Sequence, residues 1–176
     1  MKSDAFINLY ENHACITRLN TSLEKKPQSK FHFKGLVGAQ DVLVASQIIK
    51  NSKQPHLFIL SNKEEAAYFL NDLETILKKE ALFYPSSYRR PYQLEETDNA
   101  NVLLRIETLN KLNHKRQPII ISYGDAVFEK VISQKQLKSN SLDVKTGDSL
   151  SIEFVNECLQ EYKFERVDVV VEPGQY

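Results

Sequence analysis

The hydrophobic residues between positions 41 and 132 follow two alternating patterns. Short apolar runs, which are typical of buried strands, occupy residues 56–60, 81–85 and 117–123. Apolar residues at helical spacing lie between and around these runs, at residues 41–50, 61–79, 101–112 and 125–132. Strands that alternate with helices in this way are typical of a parallel sheet covered by helices. We therefore predict an α/β fold for this part of the chain.

The best-defined of these helices begins after Asn62. Asn62 is a suitable N-cap, and Glu65 follows three residues later, which is close to a capping box. An apolar stripe then includes Ala66, Phe69, Leu70, Leu73, Ile76 and Leu77. This spacing predicts an amphipathic helix.

The amino-terminal 40 residues have weaker patterns. Residues 4–13 predict a short helix, and residues 20–30 predict a polar connector. Residues 31–36 alternate between apolar and polar side chains and lead into glycine, which predicts a strand that runs into a turn.

The carboxyl-terminal part predicts a different arrangement. Residues 141–150 predict a strand with a turn, Ser151 can cap a helix over residues 152–162, and a strand is expected from residue 164. One helix and two strands cannot bury a core. We therefore predict an α/β domain over residues 1–135 and the beginning of a small α+β domain over residues 141–176, and we expect that the chain was cut inside this second domain.

Composition and charge exclude several classes of protein. The 176 residues contain 23 basic and 23 acidic side chains, so the formal net charge is zero, which argues against strong sequence-independent binding of nucleic acid. Neither a run of about 20 apolar residues nor a secretory signal is visible, so a cytoplasmic protein without a membrane segment is expected. Two distant cysteines and four scattered histidines predict no metal site.

The turn before the helix at residues 41–50 is placed where an α/β NTPase has its phosphate loop. Such a loop needs glycines that let backbone N–H groups approach phosphate, a lysine, and a hydroxyl for Mg²⁺. Here the turn contains Gly35 and Gly38, while Gln40, Asp41 and Val42 occupy the positions of the second glycine, the lysine and the hydroxyl. An aspartate would repel a triphosphate, and valine cannot coordinate a metal. We expect a degenerate loop that binds no cofactor and no catalytic residues in this chain.

The loop at residues 86–97 offers a candidate nucleic-acid contact. Arg89 and Arg90 lie between tyrosines, a combination that can stack on bases and bind phosphate. Three acidic residues follow within the next eight positions and would repel a nucleic-acid backbone. A solvated loop is therefore the alternative interpretation.

The order of several stretches resembles the amino-terminal region of the bacterial transcription-repair coupling factors (Mfd), which is similar to the excinuclease protein UvrB. The stretches are GLVGAQDVLVASQI (35–48), LFYPSSYRRPYQ (82–93), NVLLRIETLNKL (101–112), PIIISYGDAVFEKV (118–131) and VDVVVEPGQY (167–176). The resemblance implies a helicase-like parallel-sheet domain that has lost its phosphate loop. It also implies that the family's pattern continues beyond residue 176.

The resemblance further implies a role in DNA repair through protein contacts. Residues 141–176 resemble the start of the domain that docks the excinuclease subunit UvrA, and Glu172, Gly174 and Tyr176 are the partner-binding residues that it suggests. In the family, the arginines of that contact lie mostly beyond residue 176, so weak UvrA binding is expected of this chain. The family's ATP-dependent DNA translocase, with its contacts to DNA and RNA polymerase, lies in other domains. The alternatives are a helicase-like nucleotide-binding domain or a DNA-binding domain with its own activity.

Overall fold

The computed structural model describes residues 3–26, 28–88, 98–114, 117–139, 142, 144–171 and 174–176. Its centre is a parallel sheet of three strands, β1 (His56–Leu60), β2 (Leu82–Tyr84) and β3 (Ile119–Tyr123), in the order β1-β3-β2. In the register of the sheet, Ile121 of β3 lies between Phe58 of β1 and Phe83 of β2. The predicted α/β class is confirmed.

Eight helices are seen in the described residues. They are α1 (Ser3–Glu11), α2 (Ala14–Lys25), α3 (Gln40–Asn51), α4 (Lys63–Leu77), α5 (Asn99–His114), α6 (Gly124–Phe128), α7 (Gln134–Ser139) and α8 (Ile152–Glu161). The capping of α4 is as predicted, because the Asn62 side chain accepts a hydrogen bond from the Glu65 backbone N–H at 2.8 Å. Ser151 caps α8 in the same way through the Phe154 N–H at 3.1 Å.

The core lies on the face of the sheet that α3 and α4 cover. Alternation along the strands directs Phe58, Ile121 and Tyr123 to this face, and the predicted stripe of α4 packs against them. The Phe58 and Phe69 rings lie 5.1 Å apart. The remaining members of the buried cluster include Val42, Ala45, Ile49, Ala66, Leu73, Ile119 and Ala126.

The opposite face of the sheet is covered unevenly. Helix α5 packs on β2, and Leu82 is buried there. At the other edge, Leu57 and Ile59 of β1 point to this same face and remain 54% and 55% exposed. Among the described residues, the core cluster thus packs on one face of the sheet, and the other face is covered at its β2 side but not at β1.

The connector predicted at residues 20–30 is wrong in its first half. Helix α2 extends to Lys25, with the His13 imidazole as its N-cap acceptor. Ile16 and Leu19, one turn apart, are both buried, and α2 packs against α3. Tertiary packing of this narrow apolar face therefore outweighs the polar composition.

The predicted strands outside the sheet are also wrong. Residues 31–37 form no strand and are exposed, so the chain enters the turn before α3 from irregular structure. The described parts of 141–150 and 164–171 form no strand either, and an isolated bridge joins Glu165 to Gln175. Valine-rich sequence has high strand propensity, but a strand needs a partner for its backbone groups. The division of the chain at residues 135 and 141 stays a prediction.

Candidate functional site

The turn before α3 is built from two glycines in the left-handed region. Gly35 has a φ of +75° and Gly38 a φ of +59°, conformations that favour glycine. The Gln40 side chain closes the turn, because its Oε1 accepts a hydrogen bond from the Val37 N–H at 3.0 Å. The glycines therefore shape the entry into α3, and the glutamine already uses one of the backbone N–H groups of the turn.

Asp41 and Val42 occupy the first turn of α3 in two different environments. The Asp41 Oδ1 accepts a hydrogen bond from the Val42 N–H at 2.7 Å, and its carboxylate lies near the positive end of the helix dipole. Val42 is 3% exposed and belongs to the core cluster. Asp41 thus places a negative charge at the start of α3, and the Val42 side chain packs in the core.

A surface pocket of about 260 Å³ lies between this turn and the carboxyl end of β1. Its apolar part is formed by Val42, Leu60 and Phe69, and its charged lining consists of Asp41, Glu65 and Asp72. In open α/β sheets, ligands bind at the carboxyl ends of the strands. The pocket has that location, but the described charges around it are all negative and would repel phosphate.

A second polar centre lies where β2 ends. Arg105 of α5 is 6% exposed, and its Nη1 donates hydrogen bonds to the Pro85 carbonyl at 2.8 Å and the Ala126 carbonyl at 3.1 Å. The same Nη1 lies 3.5 Å from Glu129 Oε2, and the guanidinium lies over the Tyr84 ring at 4.2 Å from its centroid. A buried charge needs such partners because desolvation is costly.

Glu129 connects this centre to the loop that follows β2. Its Oε2 accepts hydrogen bonds from the Ser87 N–H at 2.8 Å and the Ser86 hydroxyl at 3.1 Å, and its Oε1 accepts from the Ser87 hydroxyl. The Ser86 N–H donates to the Tyr123 hydroxyl at 2.8 Å. We refer to Arg105, Glu129, Ser86 and Ser87 as the loop anchor.

The tyrosines beside the loop anchor are held in their neutral form. Burial raises the pKa of Tyr84 above its usual value of 10.0, and the Arg105 charge partly opposes this effect. Burial also raises the pKa of Tyr123. Both rings therefore contribute apolar walls and, in Tyr123, a hydrogen-bond acceptor for the loop.

The loop anchor was not predicted, although the sequence contains one sign of it. Asn101, Arg105 and Thr108 share one face of α5 at spacings of four and three residues, and all three are buried. The more obvious apolar residues of this helix, Leu103 and Ile106, are instead 54% and 40% exposed. The buried side of α5 is therefore its polar face, and the spacing of Asn101, Arg105 and Thr108 is the sign of it in the sequence.

The candidate nucleic-acid residues Arg89 and Arg90 lie outside the described residues, and so does Glu172. Of the other suggested partner-binding residues, Gly174 has a φ of +100°. The Tyr176 N–H donates to the Glu165 carbonyl at 2.9 Å, and the Val167 N–H donates to the Tyr176 carbonyl at 3.0 Å. The end of the chain is thus held against residues 165–167.

Metal-binding and membrane-spanning features are absent from the same described ranges. No group of three or more His, Cys, Asp or Glu side chains there could hold a metal ion, and both cysteines are free thiols. None of the helices in that part of the chain is long and apolar enough to cross a bilayer.

Comparison with known proteins identifies two kinds of relative. UvrABC system protein B of Treponema denticola is 24% identical over 157 residues, which cover 81% of this chain and 24% of that protein. The transcription-repair-coupling factors of Rickettsia bellii and Bacillus subtilis are 28% and 22% identical over 141 and 143 residues, which cover 78% and 81% of this chain and 12% of each factor. No family model matches the chain.

These relatives confirm the resemblance predicted from the sequence. The chain is similar to UvrB and to transcription-repair-coupling factors over about four-fifths of its residues. It spans about a quarter of the length of the former and about an eighth of the latter.

Proposed function

We propose that this chain is a non-catalytic adaptor of transcription-coupled nucleotide excision repair. In this proposal it recruits the excinuclease subunit UvrA to stalled RNA polymerase, as part of a protein whose other domains translocate on DNA with ATP. Support comes from relatives named as UvrABC system protein B and as transcription-repair-coupling factors. The alternative is a helicase-like domain that binds nucleotide or DNA itself.

The proposal that the chain is non-catalytic rests on the surface pocket beside the turn before α3. We call it the acidic pocket, because its charged lining consists of Asp41, Glu65 and Asp72. We interpret the α/β domain as helicase-like and the turn at residues 35–42 as a degenerate phosphate loop. Asp41, Glu65 and Asp72 line the pocket beside this turn, where phosphates would lie on this interpretation. Two unit charges 4 Å apart interact with about 4 kcal/mol at the effective dielectric of a protein surface. A polyanion at this site therefore meets repulsion where a nucleotide-binding protein supplies a lysine.

The recruitment part of the proposal rests on residues 141–176. Helix α8 has no buried residue, and Val169 and Val171 are 73% and 78% exposed. Apolar side chains at these levels of exposure are available for contact with another protein. We place UvrA docking on this segment, with Glu172, Gly174 and Tyr176 at its end.

The non-catalytic part is tested by calorimetry with MgATP and by a phosphate-release assay. We expect neither measurable heat at micromolar nucleotide nor hydrolysis above the buffer background. Asp41→Asn is the matched variant, because it removes one charge but supplies no lysine, and it should remain inactive. Micromolar MgATP binding that is lost in Gly38→Val would instead favour the alternative domain with its own activity.

A further inference from the structure

A second cavity lies at the opposite end of the sheet from the acidic pocket. It has a volume of about 380 Å³, is partly open to solvent, and is lined by the last turns of α2, the last turns of α3 and the start of β1. Its apolar surface comes from Leu23, Ile48 and Pro55. This volume lies within the range of pockets that bind small molecules.

The polar lining of this cavity consists mostly of neutral hydrogen-bonding groups. Asn20, Asn51 and Gln54 contribute amides, while Glu24 and Lys53 contribute one charge of each sign. The Asn51 Nδ2 donates to the Gln47 carbonyl at 2.8 Å, which leaves its Oδ1 as an acceptor. Over the described part of the chain, the side-chain amides of Asn20 and Gln54 make no hydrogen bond, so each offers a donor beside an acceptor.

His56 also lines this cavity. Its Nε2 is buried and has no hydrogen-bond partner among the described groups. Because this nitrogen is closed to solvent, a molecule in the cavity meets the rest of the His56 side chain rather than the Nε2. Burial lowers the pKa of His56, so the imidazole is neutral at pH 7 and adds no charge to the lining.

We propose that this cavity binds a small, uncharged nitrogen heteroaromatic molecule of about nucleoside size. The balanced charges give no preference for an ion, whereas the side-chain amides present adjacent donors and acceptors that match the edge of a nucleobase. The apolar surface of Leu23, Ile48 and Pro55 can pack against a planar ring. This inference does not depend on the proposed repair function.

The test uses adenosine as the probe, titrated to millimolar concentration into the isotopically labelled full chain and followed by NMR. We expect saturable shifts of the backbone amides of residues 20–24 and 51–56, and no shift at the acidic pocket. Gln54→Ala and Asn20→Ala should each weaken binding by about tenfold, the effect of one lost hydrogen bond to a ligand.

Asn71→Ala, on the exposed side of α4, is the matched control and should bind adenosine as well as the unchanged chain does. Gln54 is exposed, so its substitution leaves the fold intact and the test interpretable even if Asn20→Ala is unstable. The proposal is overturned if adenosine produces no saturable shift in the named segments. Equal affinity of Gln54→Ala and the unchanged chain would also overturn it.

Discussion

Removal of the Glu129 carboxylate should destabilise the whole α/β domain. The side chains of Arg105 and Glu129 are 7% and 11% exposed, so they form a nearly buried ion pair. When one partner of such a pair is removed, the other is left as an uncompensated charge, at a cost of about 3–5 kcal/mol. Glu129→Ala should therefore lower the free energy of unfolding by about this amount, which is a large part of a typical total of about 5–15 kcal/mol.

The same substitution also deprives the loop of its acceptor. The Ser87 N–H and two serine hydroxyls would lose the carboxylate, and each buried donor left unsatisfied costs about 1–3 kcal/mol. These costs overlap with that of the ion pair and are not additive. Glu129→Gln retains one acceptor oxygen but loses the charge, so its loss of stability should be intermediate.

The measurement is urea unfolding of the unchanged chain, both Glu129 variants and Glu64→Gln. Glu64 is exposed in the first turn of α4, so its substitution should cost less than about 1 kcal/mol. A double-mutant cycle with Arg105→Met would isolate the coupling between the two charges. If Glu129→Ala loses no more stability than Glu64→Gln, the loop anchor does not stabilise the fold.

Three further outcomes follow from individual residues. Because burial lowers the pKa of His56 below 6.5, its imidazole binds a proton more readily in the unfolded chain than in the folded chain. The free energy of unfolding, measured by chemical denaturation, should therefore fall as the pH drops below 6.5, and His56→Gln should flatten that part of the pH profile. Gln47 is fully buried, and its Oε1 has no hydrogen bond within the described part of the chain. Gln47→Met should therefore raise the free energy of unfolding by about 1 kcal/mol, whereas a lower free energy of unfolding would show that the amide is satisfied. DNA binding should be lost at physiological salt since the net charge is zero, and a gel shift at about 150 mM salt that disappears in the double variant Arg89→Ala and Arg90→Ala would contradict this.

The sequence was informative where local pattern and tertiary burial agree. The stripe beginning at Ala66 and the apolar runs of β1, β2 and β3 predicted the sheet and its main covering helix. Asn62 and Ser151 were recognisable as caps because their side chains act on neighbouring backbone groups. Interactions within four residues are visible in a single sequence.

Predictions failed where the structure of a segment depends on residues far away in the sequence, or on a neighbouring strand that the described residues do not provide. Phe31 and Phe33 alternate as in a strand, yet both are 43% exposed and no described strand pairs with them. Arg105 and Glu129 are 24 positions apart, so no local spacing could show that they meet. The acidic pocket was foreseen only at Asp41, since Glu65 and Asp72 reach it from the next helix.

The central claim is that the chain acts through contact with UvrA rather than through a nucleotide. The most direct measurement is an NMR titration of the isotopically labelled chain with unlabelled UvrA, which detects weak binding as selective loss of signal. The account predicts loss of amide signals from α8 and residues 164–176, with those of the turn at residues 35–42 unchanged. Signals that stay intact throughout at saturating UvrA, or losses confined to the acidic pocket, would contradict it.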